Sequence, residues 1–245
     1  MLRTVAANGR SKNNFKWPKR GKVVAPDWDP IAECGGGLHG ALWGVGDGSL
    51  FDWSKDALWQ VVRIDGDMVD LRGKIKIEKG YVVFTGSRQE ATQKIRKLGA
   101  QGKPVIGNVE SAGDNETVSG GDWSTISGGD NSTVSGGWRS IVSGGERSTL
   151  SGGGDSIVSG GDGSMLFGGD RSTVSGGSDS IVSGRDGSML FGGKGSKVSG
   201  GESSILILQY YDDRSRSVTA YVGENGIEPN IFYRLNEKHE FEEVE

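Results

Sequence analysis

The sequence predicts a mainly β protein organised around a β-solenoid, and three observations carry that prediction. Eleven eight-residue units run without a gap from Ser119 to Leu206, reading Ser-Gly-Gly-x-x-Ser-(Thr/Ile/Met)-(Val/Ile/Leu) with few departures. The sixth position is always serine (Ser124, Ser132, Ser140 through Ser204) and the eighth always aliphatic (Ile126, Val134, Val142 through Leu206). More than half of the 44 glycines fall inside this stretch, whereas five of the seven tryptophans precede residue 60. A unit too short to bury a core by itself must stack on its neighbours.

Taken along the chain, the composition divides it into a basic N-terminal arm (1–26), a small α+β domain (27–104), the solenoid (105–206) and a C-terminal β cap (207–245). The arm carries Arg3, Arg10, Lys12, Lys16, Lys19, Arg20 and Lys22 with no acid before Asp27. Such a run reads either as a solvated tail or as a contact for nucleic acid. From Trp59 the pattern turns to strands over 59–64, 68–71, 74–78 and 81–85, separated by Gly-Asp and Lys-Gly turns. A helix follows, started by the capping-box pair Ser87 and Glu90, striped with Ala91, Ile95 and Leu98, and stopped by Gly99.

Within the repeat, residues two apart on a strand share a face. Positions six and eight therefore face inward and position seven faces out. The Gly-Gly pair at positions two and three reads as the corner, where glycine tolerates turn conformations best. Charged residues and tryptophan gather at positions four and five, on the solvent side of that corner.

The number of octads per coil is set by what stacks on what. Residues 157–180 nearly recur as 181–204, a period of three octads. Sorting position seven by threes groups like residues, which favours a three-faced coil of 24 residues over a two-faced coil of 16. After Leu206 the octad is lost, and Tyr210, Tyr211, 218–222 and 231–235 read as strands capping the last coil against edge pairing.

Composition narrows the function classes. The net charge of −4 selects no partner. No apolar run reads as a signal peptide or bilayer span. The lone Cys34 allows no internal disulfide, so a cytoplasmic protein without membrane contact is expected. Cys34 and His39 in a Gly-rich loop have the residue types of a thiol nucleophile and base, but one Cys and two His complete no closed zinc site. The fourth position varies among Asp, Trp, Glu, Gly, Ser and Lys, which rules out a regular calcium ladder. No catalytic residue, cofactor or metal is expected.

The binding surface expected instead comprises Trp123, Trp138, Arg139, Arg147, Met165, Phe167, Met189 and Phe191, since Trp and Arg are frequent interface anchors. Its partner would be another protein, or a second copy meeting the outward Ile, Met and Phe residues. A competing reading uses the acidic corners Asp122, Asp130, Glu146, Asp162, Asp170 and Asp186 as a nucleic-acid mimic. The excess of eleven acids over six bases between Ser111 and Ser204 is small beside a duplex bearing a charge every ~1.7 Å. Outward Thr and Ser pairs, such as Thr125 with Ser127, imitate an ice-binding row, but Ile157, Met165, Phe167, Ile181, Met189, Phe191 and Lys197 interrupt it.

Two resemblances bear on these readings. The octad Gly-Asp-Arg-Ser-Thr-Val-Ser-Gly (169–176) is similar to the half-repeats of bacterial ice-nucleation proteins, which implies a stacked solenoid and, as a minor alternative, weak ice binding. The flanks, with Ala25-Pro-Asp-Trp-Asp-Pro30, Cys34-Gly-Gly-Gly-Leu-His-Gly40, Arg72-Gly-Lys-Ile-Lys76, Tyr221-Val-Gly-Glu-Asn-Gly-Ile227 and Tyr233-Arg-Leu235, resemble uncharacterised phage and prophage proteins carrying Gly-rich octads between the same flanks. This second likeness spans nearly the whole chain. It implies a phage or prophage origin and a cytoplasmic accessory role, with no activity to carry over, so that the expected partner is a host or phage protein. On the nucleic-acid-mimic reading that partner is a DNA-binding host protein such as a defence nuclease or a topoisomerase. The segment Gly37-Leu-His-Gly40 is also similar to a nucleotide-binding turn of ADP-ribosyltransferases, with no other element of that site.

Overall fold

The computed structural model describes residues 1–244. The chain separates into two compact units: Met1–Val109 with Gly120–Asp122, and the remainder from Glu110 onward.

The first unit contains two small antiparallel sheets and one α-helix, with short 3-10 turns at Leu42–Gly44 and Gly48–Leu50. Strands β1 (Leu2–Val5), β2 (Gly21–Val24), β4 (Leu58–Ile64) and β7 (Lys79–Gly86) form one sheet in the order β1-β4-β7-β2. Strands β3 (Leu38–Gly40), β5 (Met68–Asp70) and β6 (Ile75–Ile77) form the other, in the order β3-β6-β5. Met1, Val5, Trp17, Val23, Leu38, Val62, Ile75, Ile77 and Val82 make one apolar cluster. Leu2, Trp59, Val61, Ala91 and Ile95 belong to a second, which docks the helix α1 (Arg88–Ile95). The capping box at Ser87 and Glu90 is present. Leu98 departs from the expected stripe: the backbone turns wider after Ile95, and Leu98 is exposed.

The expected basic arm is not an arm. Leu2–Val5 pairs with β4, Gly21–Val24 pairs with β7, and Trp17 between them is buried. Charge dominates the composition of this segment, but its apolar residues Leu2, Val5, Trp17 and Val23 anchor it in the core.

The second unit is the solenoid, with a coil of 16 residues and two faces. Thr125–Ser127 pairs in parallel with Ile141–Ser143, and Thr133–Ser135 with Thr149–Ser151, each in register at that offset. Octads therefore alternate between two parallel sheets. This corrects the 24-residue expectation, and the reason is geometric. The near-duplicate segments lie one and a half coils apart, so Met165–Gly168 and Met189–Gly192 fall on opposite sheets. The duplication period and the coil period are separate quantities.

The facing of the repeat is as the alternation requires. Val134, Val142, Leu150, Val158, Leu166, Val174, Val182, Leu190 and Val198 are buried in one continuous core, and every position-six serine from Ser124 to Ser204 is 1 % exposed. The Gly-Gly pair has a different cause from the one expected. A Cβ at Gly128 would sit 2.7 Å from Val134 and 2.8 Å from the Ser132 Cβ, inside the coil. One at Gly145 would sit 2.9 Å from Asp130 N and 3.0 Å from Gly129 C, in the backbone of the preceding coil. Both glycines are demanded by close approach. The left-handed residue of each corner is the fifth, seen at Trp123 (φ 58°), Asn131 (54°), Arg139 (53°), Asp155 (53°) and Arg171 (54°).

At the C-terminal end each sheet closes with an antiparallel hairpin. Ile205–Asp212 continues one sheet and folds back as Arg214–Tyr221. In the other sheet Phe232–Leu235 pairs with Lys197–Gly200 and then with Phe241–Val244. Val222, Ile227 and Tyr233 extend the solenoid core into this cap.

Candidate binding edge of the solenoid

A coil of two octads has two corners, and its 16-residue period stacks each corner into an edge. On one edge the fifth-position file is Trp123, Arg139, Asp155, Arg171, each one coil from the next. These four residues and Trp138 make a connected cluster. The Arg139 guanidinium lies 4.2 Å from the ring centre of Trp138 and 5.0 Å from that of Trp123, within cation–π range. The two indoles meet edge-on, with centroids 5.6 Å apart and planes at 86°. Trp138 Nε1–H donates to Asp155 Oδ2 at 2.9 Å, and Arg171 donates to both Asp155 oxygens, at 2.9 and 3.2 Å.

Asp155 is the hub of this arrangement. The hydrogen bond from Arg171 holds its carboxyl below the ordinary carboxylate range, with further lowering from the Arg171 charge, Trp138 and Arg139. Exposed ion pairs are weak one at a time. Here three donors converge on one carboxylate and fix the orientation of two large side chains.

The other expected residues are distributed by the same geometry. Asp170 and Asp186 lie on the tryptophan edge, whereas Asp130, Glu146, Arg147 and Asp162 lie on the opposite one. Arg147 donates to Asn131 Oδ1 at 3.2 Å. Asp122 belongs to the first unit, where its carbonyl accepts the Gly107 N–H. Met165 and Phe167 occupy one outer face, Met189 and Phe191 the other. The expected surface is thus not one patch. Trp123, Trp138 and Arg139 come together, and Phe167 lines a shallow groove with Trp138 and Arg171.

The position-four carboxylates also have a structural task. Asp114, Asp130, Asp162 and Asp186 each accept, through Oδ1, the backbone N–H of the position-four residue one coil later, at 2.7 to 3.0 Å. Of the basic residues Arg10, Lys12, Lys16, Lys19 and Arg20, all stand exposed on the loop between β1 and β2. Arg10 there donates to Asn14 O at 2.8 Å. Cys34 is exposed, and among the described residues no group of His, Cys, Asp and Glu is placed to hold a metal ion. No helix among them is long and apolar enough to cross a membrane.

No family model, curated protein or solved structure matches the chain.

Asp155 and Arg171 join the cluster although the composition of the repeat does not single them out. Their signal in the sequence is the even spacing of Trp123, Arg139, Asp155 and Arg171 at 16 residues, which a 24-residue coil would scatter over different faces.

Proposed function

We propose that this chain is a non-enzymatic, cytoplasmic accessory protein of phage or prophage type whose solenoid binds another protein through the Trp123–Arg171 edge. The observation that carries this reading is the side-chain cluster itself: the Arg139 guanidinium lies over both indoles, and Asp155 accepts from Trp138 and Arg171. Large side chains of the kinds that anchor interfaces are thereby held in fixed orientations on one edge. Ordered Trp and Arg anchors lose little freedom on binding.

The nucleic-acid mimic is the weaker reading. Its carboxylates divide between two edges, are interrupted by Arg139, Arg147 and Arg171, and at Asp130, Asp162 and Asp186 accept backbone amides. Ice binding is weaker again. One face keeps Thr117, Thr133 and Thr149 on successive coils before Met165 breaks the file, and the other is broken at Ile141 and Ile157.

The test compares affinity capture by the full chain with capture by two variants, Trp123→Ser/Trp138→Ser and Met165→Ser/Met189→Ser. A partner lost with the first variant and kept with the second supports the edge. Loss with the second alone moves the interface to the sheet faces. Steep weakening of the captured complex by salt would favour the mimic instead.

A further inference from the structure

The first unit contains a cleft of about 1000 Å³ whose walls come from β1, β3 and the loops around them. Its chemistry is unusual in one respect. Arg3 is only 8 % exposed, and its guanidinium lies 3.4 Å over the Trp17 ring. It donates to the carbonyls of His39 at 3.0 Å and Thr4 at 3.2 Å, while its Nε has no partner. Lys76, which does not line the cleft, is 1 % exposed and donates to the carbonyls of Glu33 and Gly35 at 3.0 and 3.1 Å. Among the described residues neither buried cation is paired with a carboxylate. Buried charges are ordinarily paired, because an uncompensated one keeps its desolvation penalty.

The surroundings add to the imbalance. His39 lines the cleft with a buried Nε2 that has no hydrogen-bond partner. Its pKa is lowered by burial and by the charges of Lys74, Lys76 and Arg3, against which only Asp27 acts. The cleft wall also carries three acids, against the four basic side chains Arg3, Arg10, Lys12 and Lys74, and each of the three accepts from a neutral donor nearby. Asp27 accepts the Gly37 N–H, Asp47 the Ser49 N–H, and Asp52 the N–H and hydroxyl of Ser54. Arg10, Lys12 and Lys74 face the same space. Burial holds the Arg3 pKa down to about 9, consistent with a charge that the fold leaves uncompensated.

We propose that this cleft binds a small organic phosphate, whose negative charge supplies the countercharge that the buried Arg3 lacks, with Lys74 and the unpartnered Nε2 of His39 as further contacts. A phosphate dianion suits several donors converging from separate elements better than a single carboxylate does. Phe15 and Phe51 on the wall offer apolar contact to the organic part. The site lies wholly in the first unit and does not depend on the solenoid edge.

The experiment is calorimetric titration of the full chain with inorganic phosphate and with phenyl phosphate, alongside NMR titration of the His39 ring. Both probes are expected to bind saturably, phenyl phosphate more tightly. Lys74→Gln, a half-buried side chain free of hydrogen bonds, is expected to weaken both about tenfold, as is His39→Gln. Saturating phosphate is expected to raise the His39 pKa, since an adjacent anion favours imidazolium. Absence of saturable binding up to about 10 mM, or affinity unchanged in Lys74→Gln, overturns the proposal. Arg3 itself is left intact, because a variant there tests folding as much as binding.

Discussion

The hydroxyl of Ser148 accepts the backbone N–H of Ser132, one coil earlier, at 3.3 Å. The same hydroxyl donates to the Gly129 carbonyl at 3.1 Å. This pair of hydrogen bonds repeats along the stack, so a polar side chain buried beside an aliphatic core is satisfied and also ties successive coils together. Serine is short enough to reach both groups while leaving room for the Gly at position two.

Removing one rung tests that role. In Ser156→Ala the Ser140 N–H and the Gly137 carbonyl lose a partner that holds them at 3.1 and 3.2 Å. The expected loss is about 1–3 kcal/mol in chemical denaturation. Ser159→Ala, on the exposed outer face, is expected to change stability by less than about 0.5 kcal/mol. Equal losses would show that the inward and outward assignments are wrong.

The two kinds of corner residue make opposite demands. Gly145→Ala places a Cβ against the backbone of the preceding coil and is expected to destabilise by about 1–3 kcal/mol. Gly163→Asn puts a residue tolerant of left-handed backbone where φ is 66° and the nearest neighbour, Arg147 Cγ, is 3.4 Å away. It is expected to fall within about 0.5 kcal/mol of wild type, as Asn131 already occupies that position two coils earlier. Thermal unfolding of both variants decides the point.

How much of this was legible follows from what each signal encodes. The solenoid was readable because serine at position six and an aliphatic at position eight report the inward face directly, whatever the coil. The coil period was not, because position seven faces solvent and records ancestry as well as contact. Thr125 stacks on Ile141 and Thr149 on Met165, so unlike residues are adjacent on these faces. Asp155 looks in sequence like any other charged corner position, and only the 16-residue stacking brings Trp138 and Arg171 to it. The cleft cations were hidden because Arg3 resembles its basic neighbours in sequence, and only the pairing of β1 with β4 places it inside.

Asp155 gives the binding edge a pH dependence. Its folded pKa lies below the ordinary 3.8, with the Arg171 hydrogen bond as the largest cause. The stability it contributes is fully present above the unfolded pKa and is lost as pH falls through the lower folded value. Tryptophan fluorescence is expected to change with a midpoint below 3.8 as Trp138 loses its acceptor. In Asp155→Asn that transition should be missing while far-UV circular dichroism stays native. Its persistence would assign the change to another group.

His39 has the opposite chemistry with the same direction of shift. Its folded pKa lies below 6.5 through burial and the charges of Lys74, Lys76 and Arg3. The neutral ring is the form the fold accepts, so its contribution is present above 6.5 and declines as pH drops through the folded pKa. In His239→Gln, which leaves one histidine to observe, the imidazole resonance is expected to titrate below 6.5. Adding Lys74→Gln should move that midpoint upward. No movement would remove Lys74 from the list of charges acting on the ring.

Deleting one octad separates the fold from the binding edge. Each octad presents the same inward serine and aliphatic, so a chain lacking residues 143–150 still stacks, with every later octad moved half a coil. The cap keeps its own partners, Lys197–Gly200 and Ile205–Asp212, because both lie beyond the deletion. Asp155, however, moves to the edge opposite Arg139, and the Trp138–Asp155 contact is lost. Cooperative unfolding is expected to survive, while the acid transition in fluorescence and any partner binding through the edge disappear. Deleting residues 173–188, a whole coil beyond the cluster, is expected to preserve both. If the single-octad deletion unfolds the protein, octads are not equivalent on the two faces and the coil specifies more than its inward residues.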